Sequence, residues 1–131
     1  MIVRILRSTG AVLAGFVAVV VLSMATDAVL HAVKYYPPES EGMWDPVQNA
    51  VALAYRSLFT VVGGWLTARL APTAPMIHAG VLSVLGLAGG LAGVIVTWNM
   101  NLGPHWYPIG LAVGAVPLTL LGGWLRMRGK A

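Results

Sequence analysis

The chain has 131 residues, of which 58% are hydrophobic and 9% charged, with a net charge of +4 and no cysteine. Soluble domains carry roughly 25% charged residues, so this composition cannot coat a globular surface and points to a lipid bilayer as the solvent. The missing cysteine excludes disulfides, thiolate metal sites and cysteine nucleophiles. The basic residues sit at the ends of apolar runs and not in a patch with interleaved aromatics. That placement argues against nucleic acid as a partner.

A helix needs about 20 residues to cross hydrocarbon, and four stretches qualify: about 9–33, 47–70, 76–98 and 107–124. The expected fold is therefore all-α, a four-transmembrane-helix bundle forming one integral membrane domain over the whole chain. Pro37, Pro38, Pro46, Pro72, Pro75, Pro104 and Pro108 fall between the spans or at their edges. Pro117 alone lies inside one, where its ring removes a hydrogen bond and predicts a kink. The first span has a second reading. Arg4 and Arg7, an apolar run and Ser23-Met24-Ala25 also describe a secretory signal peptide. The apolar run continues past that site, so an intact first helix is expected.

Arg4 and Arg7 precede the first span, Arg69 ends the second, and Arg126, Arg128 and Lys130 follow the fourth. With four spans these groups share one side, which the positive-inside bias makes cytoplasmic, together with both termini. The opposite side carries Lys34 against Glu39, Glu41 and Asp45. Trp44, Trp98 and Trp106 fit the outer interface, Trp65 and Trp124 the inner one.

Thr60-Val-Val-Gly-Gly-Trp-Leu-Thr-Ala-Arg69 aligns without gaps against Thr119-Leu-Leu-Gly-Gly-Trp-Leu-Arg-Met-Arg128. The shared core is Gly63, Gly64 and Trp65 in one copy and Gly122, Gly123 and Trp124 in the other. Ala14-Gly15 and Ala79-Gly80 align weakly as well. Two tandem helical hairpins, about 9–72 and 73–131, follow from this match, related by a pseudo-two-fold axis along the membrane normal. A plainer account is that small residues, an interfacial indole and a cation simply make a good inner helix end. Gly86, Gly89, Gly90 and Gly93 in the third span, and Gly110 and Gly114 in the fourth, give small-x-x-x-small pairs that permit close helix approach. They predict the third helix either as the most centrally packed one or as a dimer seam.

The polar residues at membrane depth are few. Asp27 and His31 are four apart and share a helix face. Arg56 lies in the antiparallel second span, at a depth differing from that of Asp27 by roughly 4–5 Å at 1.5 Å per residue. An isolated charge there is costly, so an Asp27–Arg56 pair is expected, with His31 nearby and Tyr55 and Ser57 in reach. Three functions compete for this cluster. A structural pair would fix the register of the first hairpin. A relay would make Asp27 the centre of a dimeric proton- or cation-coupled small-solute transporter. In the third, His31 and His105 would be axial ligands of a haem or other tetrapyrrole; no cofactor is expected otherwise.

His78 is read as an interfacial histidine, and the segment from Asn99 to Pro108 as an anchoring turn. No phosphate-cradling loop, His-Glu-x-x-His helix or Gly-x-Ser-x-Gly elbow occurs. Ser23, Asp27 and His31 share one helix and offer no separate oxyanion site, so enzymatic activity is not expected.

Thr26-Asp27-x-x-x-His31, Tyr55-Arg56, Gly63 to Pro72 and Gly103-Pro104-His105-Trp106-Tyr107-Pro108 resemble small four-span bacterial membrane proteins. The resemblance covers most of the chain and implies a bacterial inner-membrane location; it carries no activity. The size invites comparison with small multidrug-resistance transporters, but their motif around the first-helix acid is absent. The expected function is non-catalytic: a homo-oligomer, or an accessory subunit beside other membrane subunits.

Overall fold

A computed structural model describes residues 2–38 and 41–129. Glu39 and Lys130, used above for orientation, lie outside the described residues. Four helices follow one another: α1 (Ile2–Ala32), α2 (Pro46–Leu70), α3 (Pro75–Thr97) and α4 (Trp106–Gly129). All four are long and apolar enough to cross a membrane. α1 begins at Ile2 where a span from about residue 9 was expected. At 1.5 Å per residue it is about 46 Å long, well beyond a hydrocarbon core of about 30 Å. α4 runs unbroken through Pro117 to Gly129.

Local signals set the helix starts. Asp45 caps α2 by accepting from the backbone N–H of Val47 at 2.8 Å, and Pro46 occupies the first turn, where its missing N–H costs nothing. α3 has no side-chain cap; Ala74 precedes it in a left-handed conformation with φ 42°. His78 bonds back to the Ala74 carbonyl and across to the Ser8 hydroxyl, while Arg4 donates to Thr73. The start of α1 is thus tied to the α2–α3 turn.

The bundle is inside-out. Its fully buried side chains are small or polar, with Asn49 and Thr67 the largest of them, while Ile95, Ile2 and Val113 are about 70% exposed or more. Lipid tails are as apolar as those side chains, so burying them gains nothing. Close packing and interhelical hydrogen bonds hold such helices together. Thr67 illustrates both: its hydroxyl donates to the Ala11 carbonyl at 2.9 Å, beside the point where Gly15 meets Gly63.

α2 and α4 form the central pair, in the most extensive contact of the bundle. α1 packs on α2, and α3 packs mainly on α4. α3 touches α2 and α1 more lightly, and among the described residues α1 and α4 do not pack together. Of the two roles expected of α3, most centrally packed helix or dimer seam, these contacts rule against the first. Only Gly86 and Gly90 face α4, at Ala115 and Ala112, whereas a Cβ on Gly89 or Gly93 would meet nothing within 4 Å. In α4, Gly110 faces Leu53 of α2, and Gly114 meets only Leu118 of its own helix.

Both Gly-Gly-Trp-Leu segments lie at one end of the bundle and interlock there. A Cβ on Gly64 would overlap the Thr119 carbonyl, and one on Gly122 the Val61 carbonyl. Gly63 faces α1, and Gly123 faces Ala79 and Met76 of α3. The aligned glycines therefore exchange roles: Gly63 meets the preceding helix, but its counterpart Gly122 meets α2. The match is one of composition more than of contacts. Arg69 and Arg126 both lie over the Trp65 ring, at 5.5 and 5.7 Å, and Arg128 lies over Trp124 at 5.3 Å. This is the basic end of the molecule; Glu41 and Asp45 mark the acidic end.

Overpacking a tight site costs about 1–3 kcal/mol, and these contacts are with backbone that cannot rotate away. Gly64→Ala and Gly122→Ala are each expected to lower the Tm in detergent. Gly89→Ala should hold or raise it, because alanine is the better helix former in open space. Thermal melts that rank Gly89→Ala with the other two would contradict this packing.

Candidate functional site: an ion pair between two cavities

Near the acidic end, α1 and α2 carry facing polar side chains. Asp27 and Arg56 form an ion pair through Oδ2 and Nη2, and the Tyr55 hydroxyl donates to the other carboxylate oxygen. The side chains of Arg56 and Asp27 keep 30% and 25% of their exposure. Tyr36, from the α1–α2 connection, folds back so that its hydroxyl meets that of Tyr55 at 2.8 Å. Tyr55 has one proton and gives it to Asp27, so Tyr36 must be the donor in this second bond. Burial pushes the Tyr36 phenol above its ordinary value, and it keeps that proton throughout the neutral range.

The segment carrying Tyr36 is held by backbone and side-chain bonds. Gln48 donates to the Tyr35 carbonyl at 2.6 Å, and buried Asn49 donates to the carbonyls of Met43 and Asp45, both at 2.9 Å. Met43 in turn donates its N–H to the Leu102 carbonyl at 2.6 Å, joining the two connections at the acidic end. Gly42, at φ 71°, lies against the Asn101 and Leu102 carbonyls where a side chain would be both strained and crowded.

Arg56 separates two cavities. One, of about 290 Å³ toward the acidic end, is lined by Asp27, His31, Tyr36, Arg56 and Tyr107 together with apolar loop residues. The other, of about 160 Å³, lies deeper and is lined by Ser23, Arg56, Thr60, Thr119 and apolar side chains. Arg56 spends Nη2 on Asp27, and its buried Nε finds no partner among the described residues. Beyond the deeper cavity the bundle closes at the glycine contacts around Gly15, Gly63, Gly64 and Gly122.

Of the residues singled out in sequence, Asp27, Tyr55 and Arg56 come together. His31 lines the same cavity but bonds to none of them; its ring sits edge-on to Tyr36 at 5.3 Å. Ser57 makes no bond to the cluster among the described residues. Tyr36 and Tyr107 were missed. Both stand beside prolines in segments that read as interfacial anchors, and the parallel register of α2 and α4 that brings Tyr107 to Arg56 has no sequence signature.

His31 and His105 line different cavities. The His105 ring stacks on Trp98 at 3.6 Å, and its Nε2 is bonded to the Trp98 carbonyl at 2.9 Å. The two cavities adjoin, sharing Met43, Leu102 and Tyr107 in their walls. Among the described residues there is no cluster of three or more metal-ligating side chains. No protein family, curated protein or solved structure matches the chain significantly.

Removing one partner strands the other's charge. Asp27→Asn and Arg56→Met are each expected to cost about 2–3 kcal/mol, below the fully buried range because a quarter of each side chain is exposed. The double variant should lose less than the sum by at least about 1 kcal/mol. Strictly additive losses in detergent melts would show that the two charges do not support one another.

Proposed function

We propose that the protein is a non-catalytic, multi-pass protein of a bacterial inner membrane that works through helix packing, as a homo-oligomer or as an accessory subunit of a larger membrane complex. The observation that carries this reading is the unmatched face of α3. Gly86 and Gly90 are consumed by α4, yet Ala88, Gly89 and Ala92 on the neighbouring face stay exposed, and a Cβ on Gly89 or Gly93, which border a cavity of about 300 Å³ beside the α3–α4 connection, would meet nothing within 4 Å. Such a small-residue stripe lets another helix approach closely in lipid, where tight packing supplies the association energy. The arginine-rich end, with Arg4, Arg69, Arg126 and Arg128, supports cytoplasmic termini under the positive-inside bias. The bacterial location rests on the resemblance alone.

A second reading, a dimeric proton- or cation-coupled transporter centred on Asp27, is favoured by the cavities on both sides of Arg56. It requires the basic half to open, which is the half closed by backbone contacts at glycine. It also requires Asp27 to leave two donors that already satisfy it. The static reading needs neither step.

Native mass spectrometry from lipid nanodiscs tests the proposal. The expected species is a multiple of the 13.7 kDa chain or a defined complex with another membrane protein. Gly89→Leu should release the monomer without lowering the Tm. A wild-type monomer in mild lipid conditions, or assembly indifferent to Gly89→Leu and Gly93→Leu, would refute it.

A further inference from the structure

The cavity beside the ion pair has a one-sided hydrogen-bonding inventory. Both Asp27 oxygens are engaged, and the protons of Tyr55 and Tyr36 are committed to the chain that ends on Asp27. The unused groups are the remaining N–H donors of Arg56, the Tyr107 hydroxyl and the His31 ring; no hydrogen bond of the last two is found among the described residues. An arginine has five N–H donors, so most of its capacity is uncommitted. All three can donate, and the acceptor that would otherwise attract a cation is satisfied. The missing partner is an acceptor.

Charge narrows the choice. Asp27 and Arg56 cancel, and the nearest connections add Glu41 and Asp45 beside Lys34, a surrounding that disfavours an anion. The remaining walls, Pro37, Pro38, Met43 and Leu102, are apolar. A volume of about 290 Å³ holds one ring-sized head, and the 160 Å³ cavity on the far side of Arg56, lined in part by Val19, Val20 and Leu111, is a separate and largely apolar space. α1 and α4, which do not pack on each other, stand on opposite sides of both cavities, with α2 walling the larger one and α2 and α3 the deeper one, so the space lies between the helices of the bundle.

We propose that this cavity binds an uncharged, lipid-soluble carbonyl compound of the quinone type, its two ring carbonyls sharing the donors of Tyr107, Arg56 and His31. The site stands whether the protein is an accessory subunit or a transporter, and the binding involves no covalent step.

The test uses the full chain in phosphatidylcholine nanodiscs, titrated calorimetrically with ubiquinone-1. Saturable binding with a Kd of about 1–100 μM is expected. Tyr107→Phe and His31→Ala each remove a donor and leave the ion pair in place, so each should weaken binding about five- to tenfold with an unchanged Tm. If one variant fails to fold, the other carries the test. No saturable binding by folded wild-type protein, or affinity unaltered in both variants, would overturn the assignment. Tighter binding of sodium benzoate than of the quinone would also overturn it, because the site would then be one for anions.

Discussion

Placing an unpaired Asp27 or Arg56 at membrane depth costs several kcal/mol, and much of the acidic half of the molecule is arranged so that neither is alone. The ion pair fixes how far α1 and α2 slide past one another, since a shift of one turn would separate the charges. Tyr55 then satisfies the second carboxylate oxygen, and Tyr36 satisfies Tyr55, which draws the α1–α2 connection back over the helix ends. Asn49 and Met43 hold that connection against the α3–α4 one. The chain of consequences runs from one charge to the closure of the acidic end.

The two halves of the bundle solve different problems. In the basic half there is no charge to neutralise inside, and the helices meet at glycines so closely that backbone touches backbone. In the acidic half the side chains of Asp27, Arg56 and the tyrosines hold the helices apart, and cavities remain on both sides of Arg56. The basic half is thus tightly packed, and the acidic half is polar and partly open. Gly89 and Gly93 leave further open space, bordering a cavity of about 300 Å³ beside the α3–α4 connection.

Much of this was legible in the sequence, because membrane spans obey few rules. Apolar length and proline placement located all four helices, and the spacing of Asp27 and His31 with the depth of Arg56 identified the ion pair. What escaped depends on relations between helices distant in the chain. Nothing in Gly86-x-x-Gly89-Gly90-x-x-Gly93 says that Gly86 and Gly90 turn inward while Gly89 and Gly93 do not; the rotation of α3 about its axis decides it. Tyr36 and Tyr107 carry the signature of interfacial anchors, and only the fold of the connections and the parallel pairing of α2 with α4 bring them to Arg56. The repeated Gly-Gly-Trp-Leu ends suggested a symmetry that the contacts do not follow, since close approach needs a glycine at the crossing and either of two adjacent ones will serve.

The central claim is that Asp27 and Arg56 are in direct contact inside the membrane-spanning bundle. Solid-state NMR of the protein in lipid, with the aspartate side-chain carboxyl carbons labelled with ¹³C and the arginine guanidinium nitrogens with ¹⁵N, measures that contact through their dipolar coupling. The account predicts strong dephasing, corresponding to a carbon–nitrogen separation of about 4 Å or less, that disappears in Asp27→Asn. A signal from Asp27 that shows no coupling to any arginine nitrogen would contradict it.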